Sequence, residues 1–178
     1  LTCDWSSDVC SSDLEFMNNN LRSGGVVIAG SFLVALLLTA MPLPAWAVPW
    51  RPAWVAMVLA YWCMALPHRV GIGVGWMLGI LVDVLQGALL GQNAVGFAII
   101  AYVVVSWHQR LRMFPLVQQA LLIGLLVGIS LMFSSWVRGI MGVPPRSWTY
   151  WLPAVTSMVL WPWLFIILRD LRRRYHVA

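Results

Sequence analysis

Asp83 stands alone in an apolar stretch, and it is the residue whose position most invites chemistry. It belongs to the run Gly71, Gly75, Gly79, Asp83, Gly87, Gly91, which places a small or acidic residue at every fourth position. A carboxyl group in such a setting must be protonated, hydrogen-bonded or open to water, because a charge at the centre of a bilayer costs at least about 2.5 to 3.5 kcal/mol. It is therefore read either as a proton relay or ligand contact, or as a bonded group that locks one helix to another. No second acid or base lies nearby to pass a proton on, which favours the lock. An Asp83→Asn change should then be tolerated by the lock and should fail for an ionised ligand contact.

Nucleophilic and metal chemistry find little support. His68 and His108 fall at predicted helix ends away from Asp83, and neither a G-x-S-x-G nor an H-E-x-x-H pattern occurs. Ser130, Ser134 and Ser135 are read as packing donors. Gly71-Ile72-Gly73-Val74-Gly75 lacks the spacing of a dinucleotide loop. Cys63 is read as a small apolar residue, Cys3 and Cys10 lie in an unusual leader, and dispersed His and Cys make no metal set. No cofactor is expected, and no enzyme.

The elements that must hold these residues follow from composition. The chain has 178 residues, 61% of them hydrophobic and 10% charged, with a mean hydropathy of +0.83. A soluble domain carries about 25% charged residues, so this chain cannot cover itself in water. The class is an all-α, polytopic membrane helix bundle. Residues 1–16 hold four of the six acids and read LTCDWSSDVCSSDLEF. They are read as a non-native scar preceding a single integral membrane domain over 17–178.

Spans of about 20 apolar residues place six helices at 25–44, 52–67, 70–90, 93–109, 115–137 and 149–169. Pro42, Pro44, Pro49, Pro52 and Pro67 supply the breaks around the second. In the third, Gly79, Asp83 and Gly87 would share a face, with Asp83 about 20 Å along the axis. Glycines spaced by four let helix backbones approach closely. Gly75, Gly79, Asp83, Gly87 and Gly91 are thus candidates for helix packing or partner contact. So is Trp161-Pro162-Trp163, where the proline should kink the last helix and the rings could wedge a neighbour.

Arginine sets the orientation. Arg22, Arg69, Arg110, Arg112, Arg169, Arg172, Arg173 and Arg174 share one side, against Arg51, Arg138 and Arg146 on the other. The excess predicts that both termini face the cytoplasm, with Arg69, Arg110, Arg112, Arg169, Arg172, Arg173 and Arg174 at that membrane surface. Membrane lipid, not nucleic acid, is the partner such basic loops imply, and the tail cluster could also hold anionic lipid. Most of the twelve tryptophans, among them Trp46, Trp50, Trp54, Trp107, Trp148 and Trp151, are assigned to interfacial belts.

Arg51-Pro52-Ala53-Trp54, Tyr61-Trp62, Ala65-Leu66-Pro67-His68-Arg69-Val70, Gly79 to Asp83, Gly87 to Gly91, and Val159-Leu160-Trp161-Pro162-Trp163 with its basic tail together resemble the rod shape-determining MreD family of gammaproteobacteria. The likeness covers residues 21–176. It implies a non-catalytic inner-membrane subunit of the cell-elongation machinery, working beside MreC, MreB, RodA and a class B penicillin-binding transpeptidase. It also implies a fold similar to the substrate-binding subunit of energy-coupling vitamin transporters. A small-molecule or lipid-binding subunit, with Asp83 and tryptophans lining the site, is the alternative.

Overall fold

In the computed structural model the backbone is described for residues 7–44, 46–142 and 148–175, and side chains from residue 24 on, apart from that of Arg112. Six helices account for most of it: α1 (Ser7–Ala40), α2 (Trp54–Ala65), α3 (Ile72–Gln86), α4 (Gln92–Met113), α5 (Leu116–Ile140) and α6 (Leu152–Arg174). Two short 3-10 turns, Val48–Trp50 and Trp148–Trp151, lead into α2 and α6. Among the described residues there is no strand. The chain is a membrane helix bundle.

Each break has a local cause. α1 stops before Pro42, Pro67 follows the end of α2, and Pro115 caps α5, since proline cannot donate to the preceding turn. The third helix ends at Gln86, four residues before the predicted boundary. Gly87 there takes φ +61°, and the amides of Gly87 and Ala88 donate to the carbonyls of Val84 and Asp83. That is the left-handed glycine closure of a helix C-terminus. α1, conversely, begins at Ser7, well before the predicted start at residue 25.

α2 is the centre of the bundle. Every residue from Val55 to Ala65 is buried, as expected of a helix that is apolar all round. α1, α4 and α6 pack around it, while α3 lies on α4 and α5 bridges α4 and α6. Length divides the helices by role. The segments at 92–111, 116–140 and 148–174 are long and apolar enough to cross a membrane, whereas the apolar stretches 24–40 and 72–86 are shorter. α2, at 12 residues, is about 18 Å long. Walled by other helices, it has no need to reach the bilayer surface on its own.

Candidate functional site

Asp83 is fully buried one turn before the end of α3. Its Oδ2 accepts from the Gly91 amide at 2.9 Å, and its Oδ1 from the Asn93 amide at 3.0 Å and from Asn93 Nδ2 at 2.9 Å. The Asn93 amide also approaches Oδ2 at 3.2 Å. The first amides of a helix have no partner within it and carry the positive end of its dipole. Asp83, coming from the preceding helix, accepts from the amide of Gly91, which caps α4, and from that of Asn93 in its first turn. One residue therefore closes one helix through its carbonyl and opens the next through its carboxyl group. Both oxygens are taken up by N–H donors of the chain itself, so the arrangement ties α3 to α4 and leaves Asp83 no free face for a ligand.

The glycine run divides in two. A Cβ on Gly79 would lie 2.2 Å from Ala94 Cα, and one on Gly75 would lie 2.9 Å from the Phe97 carbonyl oxygen. These two glycines let the α3 and α4 backbones touch, the close approach that packs helices where lipid offers no hydrophobic drive. Gly87 and Gly91 do not share that face. They flank the turn at φ +61° and +101° with no atom within 4 Å of a would-be Cβ. Their need is for a left-handed backbone, which costs an L side chain about 1–2 kcal/mol.

Sequence reasoning missed two further ties of the same kind. Gln119 of α5, almost wholly buried, donates from Nε2 to the Leu111 and Phe114 carbonyls at the end of α4. Ser157 of α6 accepts from the Ala53 amide at the start of α2, at 2.9 Å. The signal available was an uncharged polar pair inside an apolar window, Gln118-Gln119 and Thr156-Ser157. The target carbonyl or amide lies on another helix, which periodicity does not reveal. Two close glycine approaches were also missed: a Cβ on Gly96 would meet Ser130 Cβ at 2.8 Å, and one on Gly124 would meet Met158 Cβ at 3.1 Å.

The remaining candidates separate by exposure. Trp161 is fully buried against Phe165, which packs edge-on to Tyr61 of α2; Trp163, two residues on, is 72% exposed. The pair thus serves opposite faces of α6, with Pro162 between them inside an unbroken helix. Ser130 donates to the Val127 carbonyl of its own helix. Arg69, Arg110, Arg169, Arg173 and Arg174 are exposed and Arg172 is half-buried, all at the end of the bundle where α2 and α4 finish and α6 terminates. Arg174 pairs with Asp170 at 2.9 Å on the surface, a contact of small energetic consequence. The side chain of Arg112 lies outside the described residues, as do residues 1–6 at the start of the leader.

Residues 22–171 match the family described as rod shape-determining protein MreD. The chain is also similar to the rod shape-determining protein MreD of Haemophilus influenzae, with 33% identity over 147 residues that cover 83% of this chain and 91% of the relative. No solved structure matches.

Proposed function

The chain belongs to the rod shape-determining MreD family, and from that membership we propose that it is a non-catalytic inner-membrane subunit that scaffolds lateral peptidoglycan synthesis in rod-shaped cells. Its partners in this reading are MreC directly and, through the complex, MreB, RodA and a class B penicillin-binding transpeptidase. The supporting observation is the family match across all six helices. The way the chain uses its polar residues agrees with a scaffold. Asp83, Gln119 and Ser157 are occupied in closing helix ends, whereas long apolar faces of α1, α5 and α6 point outward, among them Val26, Leu33, Leu125, Met132, Val159 and Trp163. Lipid tails or partner spans cover such faces. Both termini face the cytoplasm in this reading, because eight of the eleven arginines share their side.

The test is cell shape. Residues 17–178 and, separately, all 178 residues are expressed in a rod-shaped gammaproteobacterium depleted of its own MreD, with membrane abundance measured in parallel. Rods restored by both forms are the expected result. Cells that stay round at normal membrane abundance would sink the proposal. The second reading, a subunit that holds a small molecule or lipid, is favoured by one observation, a cavity with several polar side chains in its mainly apolar wall at the end of the bundle opposite the arginine tail.

A further inference from the structure

That cavity, of about 290 Å³, lies where α1 and α5 end and α2, α4 and α6 begin. Its walls bring Arg51, Arg138, Gln92, Asn93, Ser134 and Tyr150 together from separate elements. Gln92 is 5% exposed. Arg51 donates one terminal nitrogen to the Met41 carbonyl at the end of α1, while its Nε is buried with no acceptor. Arg138 stands 6.0 Å above the Tyr150 ring. A buried donor without an acceptor, as at Arg51 Nε, is costly to leave, and the exposed Arg138 adds a second guanidinium at the same cavity, a group whose fork geometry suits an oxyanion.

Among the described residues no acid lines the cavity. The described side chains include two acids: Asp170, paired with Arg174 at the other end of the bundle, and Asp83, whose oxygens the start of α4 has taken. The first turns of α2 and α6 border the space and add their positive dipole ends. Trp46, Trp50, Trp148 and Trp151 are exposed at the same end, which sets it at the depth of the lipid headgroups. The volume sits at the lower end of ligand cavities, which run from about 300 to 1,000 Å³.

We propose that this cavity binds a phosphate group, carried by an anionic lipid or by a small soluble phosphate ester, with Arg51, Arg138 and Gln92 as its donors. The proposal rests on the second reading above, and because it is tested on the purified protein its failure is distinguishable from failure of the shape role.

The experiment uses the full chain in detergent. Native mass spectrometry measures retention of phosphatidylglycerol, with diacylglycerol as the phosphate-free control. Thermal unfolding measures stabilisation by inorganic phosphate and by glycerol 3-phosphate. Arg138→Gln and Gln92→Leu are compared with the wild type after their helix content and unliganded melting are matched to it; Arg172→Gln with Arg173→Gln controls for the basic tail. A lipid source predicts one retained phosphatidylglycerol per chain, reduced about tenfold in the cavity variants and unchanged in the tail variant. A soluble source predicts no lipid preference, with stabilisation by the phosphate compounds that the cavity variants lose. Absence of both effects, cavity variants that bind like the wild type, or binding abolished by the tail variant would overturn the proposal.

Discussion

The α3–α4 hairpin and the seam between α1 and α6 both set apolar helix faces side by side, yet of the two the hairpin is the closed one. In the hairpin the backbones meet through Gly75 and Gly79, and Asp83 bonds across the turn. Across the seam an apolar groove of about 540 Å³ remains, lined by Gly30, Val34 and Leu38 of α1 and by Leu164, Ile167 and Leu171 of α6. Apolar surface alone does not bring helices together in lipid, because the tails are as apolar as the side chains. Close approach and a satisfied polar group do. Gly30 is small as well, but no atom stands within 4 Å of its would-be Cβ, so its smallness makes no contact.

The contrast breaks most readily at Gly79. Gly79→Ala drives a methyl group to 2.2 Å from a backbone carbon and should cost about 3 kcal/mol or more, seen as lost membrane abundance or a collapsed melting transition. A stable Gly79→Ala protein would mean that backbone contact is not what closes the hairpin. Asp83→Ala comes next, because it strips acceptors from the Gly91 and Asn93 amides and from Asn93 Nδ2; unpaired buried donors of this kind cost about 1–3 kcal/mol. Protease cleavage of the 87–91 turn should rise with it. Asp83→Asn keeps one oxygen but turns an NH2 toward another N–H donor. It should therefore fall between the wild type and Asp83→Ala in chemical denaturation. A variant as stable as the wild type would show that only one oxygen matters.

Gly87 sharpens the same contrast from inside the run. With φ +61° and open space around it, Gly87→Ala and Gly87→Leu should cost about the same, roughly 1–2 kcal/mol, whereas at Gly79 any side chain is excluded. A Leu variant at Gly87 much worse than its Ala counterpart would restore it to a packed face. The smallest effect belongs to the seam. Gly30→Leu projects into the groove and should change stability by no more than about 0.5 kcal/mol, measured by unfolding in detergent. A larger loss would mean that α1 and α6 press together there.

Much of this was legible before the fold. The six helices and their proline breaks follow from hydropathy and local backbone rules, which act within a few residues of chain. The end of α3 was misplaced because Gly87 continues the spacing of Gly75, Gly79 and Asp83 while performing a different task. Spacing by four looks alike whether glycine admits a neighbour or reverses the backbone. Gln119 and Ser157 passed unremarked for a related reason: each bonds a helix end that lies beyond its own helix.

The lipid solvent, the all-helical class and the asymmetry of arginine were settled by composition and order alone, because transfer energies add residue by residue along the chain. Which faces touch was not. The fate of α2 as the buried centre, the convergence of Arg51, Arg138 and Gln92 on one cavity, and the use of Asp83 as the cap of the next helix rest on distances between elements. Those distances arise only once backbones approach and unpaired amides find acceptors, and neither condition is carried by any single stretch of sequence.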